Sequence, residues 1–381
     1  MKNDSSASVY IHIPFCRKKC TYCDFLSYEN RETDFLTFSN VLCNDIEEFA
    51  KNFKNAMPES VPTIYFGGGT PTALPTNLLA KIFHVISKNF SVDENAVISI
   101  EANPETVDFE ILKELREIGF NRISFGVQSF DDGKLQSIGR IHSAKRAVDA
   151  FNQAKQAGFE DINIDLMFGL PHQNLENFKD DLETAISLNP THISCYSLTI
   201  EENTPIARNT SLLATLPNEN RERAMYHTAK SVLSSAGYVH YEISNFAKPG
   251  YFCEHNRRYW LGGDYIGFGL GAASFINNAR SSEIPCLDEY LERGSYDIQG
   301  QELSKNDRIS EFMILGLRLI EGIKFDDFTG RFGVDITDIF SEQLSELSEC
   351  GLLNVDYENK TAKLTDLGMD LSNQVFCEFL L

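Results

Sequence analysis

Short apolar runs rich in β-branched and aromatic residues alternate with longer segments of helical period between residue 9 and about residue 200. Six of these runs are predicted strands, at residues 9–13, 63–66, 97–101, 122–127, 162–167 and 192–198. Predicted helices between them include residues 109–118, 144–157 and 175–188. This alternation is typical of repeated βα units that build a parallel sheet. We therefore predict an α/β fold, an incomplete (β/α)6 barrel of the TIM-like type.

Five of the six predicted strands are followed by residues suited to binding or catalysis. In chain order these are the thiols of Cys16, Cys20 and Cys23, the segment Gly67-Gly68-Gly69-Thr70-Pro71, then Glu101, Gln128, and Asp165 with Gly169-Leu170-Pro171. In barrels of parallel strands the active site lies at the C-terminal ends of the strands. We therefore expect these residues to meet at one mouth of the barrel.

The three cysteines form a CxxxCxxC pattern on one short loop after the first strand. Three thiols can hold an iron–sulfur cluster that leaves one iron open to an external chelate. A zinc site is the alternative, but zinc needs a fourth protein ligand, and the nearest histidine, His12, lies in the strand. Disulfides are disfavoured because the total of nine cysteines is odd and the first residues are polar, without a signal peptide. The pattern favours a cluster in a reducing, cytoplasmic setting.

The charge composition argues against nucleic acid as a partner. The chain has 34 basic and 55 acidic side chains, a net charge of −21, and most of such a surface repels nucleic acid. The basic run Arg17-Lys18-Lys19 either is a solvated loop, or it offsets thiolate charge or faces an anionic partner. No apolar run approaches the roughly 20 residues that span a bilayer, so we predict a soluble protein.

Glycines and carboxylates at the strand ends have both structural and functional interpretations. The glycines at 67–69 form either a tight turn or a backbone that approaches a ligand closely, and they lack the ending of a P-loop. Glu101 and Asp165 end apolar runs where a carboxylate would cap a helix or pair with a cation. We favour contacts to polar groups of a cofactor, such as ribose hydroxyls or an ammonium. Arg140 either clamps a carboxylate or lies on the surface.

Several motifs in order resemble the radical S-adenosylmethionine superfamily, in the group of oxygen-independent coproporphyrinogen III dehydrogenases and HemW-type heme chaperones. The resemblance covers nearly the whole chain. The motifs are residues 10–16 (YIHIPFC), 67–71 (GGGTP), 123–130 (ISFGVQSF), 164–171 (IDLMFGLP) and 255–260 (HNRRYW). Their common order is far more specific than any one of them.

The resemblance implies a [4Fe–4S] cluster on Cys16, Cys20 and Cys23, with S-adenosylmethionine on the fourth iron. Reductive cleavage of that cofactor would release methionine and a 5′-deoxyadenosyl radical. The residues implied to surround S-adenosylmethionine are Tyr10, Tyr22, Gly68, Gly69, Thr70, Glu101, Gln128, Arg140, Asp165 and Thr199. Some of them correspond to a region where the dehydrogenase holds a second S-adenosylmethionine, and whether this chain does is open.

Two departures separate the branches of the group. Dehydrogenases have a CxxxCxxCxC motif and a sizeable N-terminal extension, whereas this chain has Phe25 at the fourth cysteine position and eight residues before Val9. Both features match the heme chaperones. The run His255-Asn256-Arg257-Arg258-Tyr259-Trp260 resembles their HNxxYW signature, in which the histidine is a candidate heme ligand. The alternatives are a packed aromatic corner around His255, or ligation by the nearby Cys253.

The remaining chain is predicted to form two further units. Residues 218–236 are predicted as a helix, 238–243 as a strand, and the glycine-rich stretch 262–274 as a segment that packs its backbone tightly near the barrel mouth. Beyond residue 308, helices and two short strands around residues 358–360 indicate a winged-helix-like domain. We predict a radical S-adenosylmethionine partial barrel at 1–200, a barrel extension with a heme-binding segment at 201–300, and the winged-helix-like domain at 301–381.

By resemblance, the favoured function is a heme chaperone that passes heme to acceptor proteins, including respiratory membrane proteins, and takes electrons for its cluster from a donor. The alternative is an oxygen-independent coproporphyrinogen III dehydrogenase, so enzymatic activity is left open. A homodimer is also consistent with the resemblance.

Overall fold

The computed structural model describes residues 5–54, 57–293 and 300–381. The strands are β1 (Ser8–Ile13), β2 (Val61–Gly68), β3 (Val92–Ala102), β4 (Arg122–Gln128), β5 (Asp161–Phe168), β6 (His192–Ser197), β7 (Val239–Glu242), β8 (Asn245–Ala247), β9 (Tyr265–Gly269), β10 (Ala273–Ile276), β11 (Ala279–Ser282), β12 (Gln301–Glu302), β13 (Ile323–Lys324), β14 (Leu353–Asp356) and β15 (Thr361–Leu364).

The helices alternate with these strands through the first half of the chain and dominate its end. They are α1 (Phe35–Asn52), α2 (Thr76–Asn89), α3 (Phe109–Ile118), α4 (Asp132–Ser137), α5 (Ala144–Gln156), α6 (Leu175–Leu188), α7 (Thr210–Leu213), α8 (Glu219–Ser235), α9 (Glu254–Trp260), α10 (Leu287–Glu292), α11 (Lys305–Gly316), α12 (Phe325–Phe332), α13 (Thr337–Glu349), α14 (Asp366–Asp370) and α15 (Ser372–Cys377). Within the described ranges, no helix is long and apolar enough to cross a membrane.

Polar caps explain why the predicted helices begin where they do. The side chain of Asp108 accepts a hydrogen bond from Ile111 N at the start of α3, and Ser143 does the same for Arg146 N at the start of α5. Gly119 and Gly158 follow these helices with φ of 123° and 93°. Such left-handed conformations are favourable for glycine, so both glycines are suited to end their helices.

The main sheet confirms the predicted α/β architecture. Strands β1 to β6 lie side by side in chain order, and every neighbouring pair is parallel. The strand order runs from β12 at one edge to β7 at the other, and the sheet does not close. The fold is therefore an incomplete barrel, with the C-terminal ends of the parallel strands on one side.

A seventh parallel strand comes from the glycine-rich stretch. Strand β9 pairs with β1, with Tyr10 opposite Gly267 and His12 opposite Gly269. A Cβ at Gly269 would collide with the His12 carbonyl oxygen, so glycine is required for this close pairing. The sequence analysis did not predict β9, because glycine disfavours strands in general.

The two faces of β1 show how the fold positions a polar interior. Val9, Ile11 and Ile13 belong to the main hydrophobic core. Because side chains alternate along a strand, Tyr10 and His12 lie on the other face, inside the barrel. The ring of Tyr10 there lies 6.4 Å from the ring of Tyr65 on β2.

The C-terminal part of the chain has its own small sheet and core. Strands β13, β15 and β14 are antiparallel neighbours, and Phe328, Phe340 and Leu344 are fully buried in a second hydrophobic core. Strands β14 and β15 form the predicted hairpin around residues 358–360. Two short helices, α14 and α15, follow β15. The domain boundaries near residues 200 and 300 remain predictions.

Candidate functional site

The cysteine loop begins at the C-terminal end of β1 and folds back on itself. Cys16 N donates a 2.9 Å hydrogen bond to Tyr28 O, and Tyr28 N donates a 2.7 Å bond to Pro14 O. Inside the loop, Lys19 Nζ donates to the carbonyl oxygens of Phe25 and Ser27 at 2.9 and 3.3 Å. The loop that carries the three thiols is therefore closed by its own backbone and by one lysine.

All three thiols are free and partly buried. Burial raises the pKa of Cys16 and of Cys23, although hydrogen bonds from Thr70 to Cys16 and from the Phe25 backbone to Cys23 act in the opposite direction. Iron binds the thiolate, so a bound cluster would supply the positive charge that holds these groups deprotonated. The three thiols are therefore positioned to bind iron, whose positive charge would keep them deprotonated.

The donor set fits an iron–sulfur cluster. Among the described residues, no three His, Cys, Asp or Glu side chains have the spacing of a single-ion site. In a [4Fe–4S] cluster each cysteine binds a different iron, so its ligands need not converge on one point. Two of the sulfurs also have neutral or cationic donors, namely Thr70 Oγ1 to Cys16 Sγ and Arg140 Nη1 to Cys20 Sγ, both at 3.4 Å.

The glycine segment at the end of β2 lies against the cysteine loop. A Cβ at Gly69 would lie 2.8 Å from Phe15 O and 3.1 Å from Cys16 Sγ. At Gly68, where φ is 109°, a Cβ would lie 2.7–2.8 Å from three atoms of the His12 ring. The backbone here comes closer to its neighbours than any side chain allows, which supports the close-approach interpretation over a bare turn.

Glu101 and Asp165 both face the barrel interior. Glu101 accepts hydrogen bonds from Tyr65 Oη at 3.0 Å and from Gly68 N at 3.2 Å. Burial, together with the nearby charge of Asp165, raises the pKa of Glu101 to about 7. Asp165 accepts from Asn163 Nδ2 at 2.7 Å, and burial raises the pKa of Asp165 as well. These two carboxylates, whose raised pKa shows that the nearby Arg122 charge offsets their burial only in part, are suited to a ligand that brings positive charge and hydroxyl groups.

The raised pKa of Glu101 has a consequence for stability. In the ligand-free protein the pKa is about 7 against an ordinary value of 4.5, so the folded state loses stability as pH rises from 4.5 to 7. Glu101→Gln cannot ionise. We expect the stability of this variant relative to wild type to increase by about 2 kcal/mol between pH 5 and pH 8, measured by urea unfolding. Glu94→Gln on the exposed part of β3 is the control, and its difference from wild type should not change. An unchanged difference for Glu101→Gln would contradict this assignment.

Arg140 lies inside the site and not on the surface. Its Nη2 atom donates to Asn103 Oδ1 at 2.6 Å and to the carbonyl oxygen of Gly126, while Nη1 reaches Cys20. Within the described part of the chain, the buried Arg140 Nε has no hydrogen-bond partner. A ligand carboxylate would satisfy that donor.

Asn103 links two of the cluster cysteines and was not singled out from the sequence. Its Nδ2 atom donates to Thr70 Oγ1 at 2.9 Å, and its Oδ1 atom accepts from Arg140. Cys16, Thr70, Asn103, Arg140 and Cys20 thus form one hydrogen-bonded arc. The position of Asn103 two residues after Glu101, at the end of β3, is the signal that indicates this role.

The other predicted cofactor contacts are spread around this arc. The side chain of Gln128 lies next to Gly126, because a Cβ added at Gly126 would be 3.2 Å from Gln128 Nε2. The backbone φ of Gln128 is 70°. Tyr22 packs against a small apolar cluster, and burial with the charge of Cys20 raises its pKa. Tyr10 shares a 3.1 Å hydrogen bond with His12 Nδ1. Thr199 is exposed, one residue after the buried Leu198.

His255 lies in an aromatic corner, and the structure places no ligand position on its ring. It is 2% exposed, and its ring stacks on Tyr65 at 5.0 Å. Nδ1 shares a 2.8 Å hydrogen bond with Thr63 Oγ1, and Nε2 shares one of 2.8 Å with Tyr259 Oη. Burial lowers the pKa of His255 to about 3. The alternative ligand Cys253 is also buried.

An open parallel barrel with a CxxxCxxC loop after its first strand defines the class of radical S-adenosylmethionine proteins, and residues 10–185 match the Radical SAM superfamily model. Residues 303–371 match the HemN C-terminal domain. The chain is 35% identical to the heme chaperone HemW of Lactococcus lactis, covering 98% of this chain and 97% of the relative, and 37% identical to that of Bacillus subtilis, covering 98% and 99%. The chain belongs to the HemW family.

A solved structure shows the same fold. The coproporphyrinogen III oxidase HemN of Escherichia coli, described as a radical SAM enzyme, superposes with a TM-score of 0.86 at 26% identity, over 98% of this chain and 90% of that one. This chain and the porphyrinogen oxidase therefore share one architecture.

Proposed function

We propose that this protein binds heme and transfers it to acceptor proteins in the cytoplasm, as a heme chaperone. The observation that carries the proposal is that curated relatives of this name match nearly the full length of the chain. The closed cysteine loop and the strand-end residues support a [4Fe–4S] cluster and S-adenosylmethionine beside the heme function. When bound, that pair supplies one-electron reductive chemistry at the sulfonium.

The protein's own residues would hold these cofactors as follows. Cys16, Cys20 and Cys23 provide three sulfur ligands, and the Gly68–Gly69 backbone allows a ligand to approach the loop. Arg140 would hold a carboxylate through its free Nε, and Glu101 would accept from an ammonium or a hydroxyl group. Thr70 and Asn103 orient the thiols through the arc of hydrogen bonds.

The dehydrogenase alternative is disfavoured by one residue of the cysteine loop. Phe25 occupies the position where the dehydrogenase motif has its further cysteine, and it is 68% exposed. A phenyl ring cannot ligate iron or transfer a hydrogen atom as a thiol can. The loop thus lacks one functional group of the porphyrinogen branch.

The proposed partners follow from charge and exposure. Arg17 and Lys18 are exposed beside the cluster loop of a chain with net charge −21, a local contrast that favours an acidic electron donor there. Acceptors would include respiratory membrane proteins, as the resemblance implies. Nucleic acid is disfavoured by the same overall charge. The resemblance is also the basis on which we propose that two copies of the chain form a homodimer.

The decisive experiment measures heme binding and porphyrinogen turnover on one anaerobically reconstituted sample. We expect the full-length protein to bind heme stoichiometrically and to release it to a heme-free acceptor. With reductant, S-adenosylmethionine and coproporphyrinogen III, we expect no protoporphyrinogen IX. Its formation at many turnovers per protein would overturn the chaperone assignment in favour of the dehydrogenase. Failure to bind heme would overturn it as well.

A further inference from the structure

Tyr196 is a side chain of the barrel interior that the sequence analysis did not single out. It is the next-to-last residue of β6, where Ile193 and Cys195 belong to the main hydrophobic core. Because side chains alternate along a strand, Ser194 and Tyr196 lie on the opposite face, inside the barrel. Ser194 Oγ agrees with this orientation, since it donates a 3.2 Å hydrogen bond to Asn163 Oδ1 on β5. Tyr196 thus enters the barrel at the C-terminal end of its strand, where the cofactor contacts are predicted.

The ring of Tyr196 is reachable from the open interior of the barrel. The residue is 39% exposed, although it projects inward. Burial and the nearby charge of Asp165 raise the pKa of Tyr196 well above its ordinary value, and a hydrogen bond with Ser194 acts in the opposite direction. A tyrosine with this exposure on a convex surface would keep its hydration and an ordinary pKa. The exposed part of Tyr196 therefore borders a concave space, and the phenol keeps its proton at physiological pH.

Asp165, on the neighbouring strand, is the charged group beside Tyr196, and it can accept a further hydrogen bond. Its Oδ1 atom accepts a 2.7 Å bond from Asn163 Nδ2, and its Oδ2 atom accepts a 3.3 Å bond from Ser124 Oγ. Ser194 is a third hydrogen-bonding neighbour of this carboxylate. The two carboxylate oxygens have four lone pairs between them, so one acceptor position is left for a ligand.

A hydrogen-bond donor beside an acceptor defines the chemical group that fits between them. The neutral phenol of Tyr196 can donate one hydrogen bond, and the Asp165 carboxylate can accept one. An ammonium group only donates, so it would leave the phenol proton without an acceptor. A ligand carboxylate would be repelled by the charge of Asp165. An alcohol hydroxyl satisfies both side chains, because it accepts from Tyr196 and donates to Asp165.

We propose that Tyr196 is a further cofactor-binding residue, whose hydroxyl and the Asp165 carboxylate together hold one sugar hydroxyl of S-adenosylmethionine. The inference rests on the proposed function, of which S-adenosylmethionine binding is a part. The contact differs from that of Arg140, whose buried Nε atom has no partner within the described residues and suits the ligand carboxylate. Neighbouring strands lie about 4.8 Å apart, so β6 is roughly 10 Å from β4, the strand that precedes Arg140. The two contacts therefore bind different halves of one ligand.

Thr199 is the residue that the resemblance indicates for this part of the site, and its position differs from that of Tyr196. Thr199 is exposed and lies two residues beyond the end of β6. Tyr196 lies within the strand, opposite Met167 of β5 in the parallel pairing. Regular strand pairing fixes the direction of its side chain, which suits a precise contact to one ligand group.

The test measures ligand binding by equilibrium dialysis on the anaerobically reconstituted full-length protein. The probes are S-adenosylmethionine, methionine for its amino-acid half, and 5′-methylthioadenosine for its nucleoside half, together with the 2′-deoxy and 3′-deoxy forms of that nucleoside. Wild type is compared with Tyr196→Phe, which removes only the hydroxyl, and with Tyr238→Phe. Tyr238 is the matched control, because it is buried and its hydroxyl donates a 2.8 Å hydrogen bond to Pro190 O, before the start of β6. Circular dichroism and urea unfolding establish that each variant folds.

We expect Tyr196→Phe to bind S-adenosylmethionine and 5′-methylthioadenosine about three- to tenfold more weakly than wild type, the usual loss for one hydrogen bond. Its affinity for methionine should not change, and Tyr238→Phe should match wild type with every probe. One of the two deoxy nucleosides lacks the hydroxyl that Tyr196 holds. Wild type and Tyr196→Phe should therefore bind that form equally, whereas the other form should still distinguish them.

Three results would overturn this inference while leaving S-adenosylmethionine binding intact. They are an unchanged affinity for S-adenosylmethionine in a folded Tyr196→Phe, an equal loss of affinity for methionine, and a loss that persists with both deoxy nucleosides. No binding of S-adenosylmethionine by wild type would instead overturn the cofactor assignment within the proposed function. Heme binding is measured separately by the experiment described for that function.

Discussion

Cys20→Ser is expected to abolish the iron–sulfur cluster while leaving the fold in place. The loop offers three thiols, and the hydrogen bond from Arg140 Nη1 to Cys20 Sγ places this sulfur at one end of the hydrogen-bonded arc. A serine hydroxyl is a poor iron ligand, because iron–sulfur clusters depend on thiolates. Anaerobic reconstitution should give about four irons per chain in wild type and fewer than about one in the variant. Iron and sulfide analysis with visible absorption measures the effect.

Cys286→Ser is the matched control for this prediction. Cys286 is exposed and lies at the start of α10, away from the cysteine loop in the chain. The same chemical change there should leave the iron content at the wild-type value. Full cluster content in Cys20→Ser would show that a residue outside the CxxxCxxC motif ligates iron.

Gly68→Ala is expected to abolish binding of S-adenosylmethionine and to lower the free energy of unfolding by about 2–4 kcal/mol. The residue has a φ of 109°, which an alanine adopts only with strain. Its Cβ would also lie 2.7–2.8 Å from the His12 ring. That ring cannot move aside, because Nδ1 is bonded to Tyr10 and Nε2 to Leu26 O at 2.8 Å. Equilibrium dialysis with labelled cofactor and urea unfolding measure the two effects.

Gly237→Ala separates backbone strain from the steric clash. Gly237 has a φ of 87°, and nothing lies within 4 Å of an added Cβ. This variant should lose only about 1 kcal/mol and should bind the cofactor as wild type does. Equal losses of stability in the two variants would mean that the crowding around Gly68 relaxes and has no role in forming the site.

The positions of the parallel strands could be predicted because their hydrophobic runs are short and are separated by capped helices. Helices α3 and α6 have the predicted limits, since polar caps such as Asp108 and Asn174 mark their starts. Strand β9 was not predictable in this way. Its pairing with β1 depends on glycines that pack against a strand more than 250 residues earlier in the chain, and local patterns contain no information about such contacts.

The site residues that could be predicted most directly are those at the C-terminal end of a parallel strand or just after it. Glu101, Asp165 and Gly68 all lie near the barrel interior, because parallel strands bring their C-terminal ends to the same side. Asn103 was missed because an amide after a strand has many structural uses, and only its two hydrogen bonds identify it. The engagement of both nitrogens of His255 likewise depends on Thr63 and Tyr259, which the sequence analysis did not connect.

Tyr10 lines a cavity together with Tyr259 and Trp260, and it also shares a hydrogen bond with His12, whose ring lies against Gly68 at the predicted S-adenosylmethionine position. One side chain thus borders two compartments. A ligand that displaces this ring in one compartment changes the free energy of binding in the other, and thermodynamic reciprocity requires the effect to be equal in both directions. Two ligands that each move the Tyr10 ring, one in the cavity and one beside Gly68, therefore have coupled affinities, and the concentration of one sets how tightly the other is held.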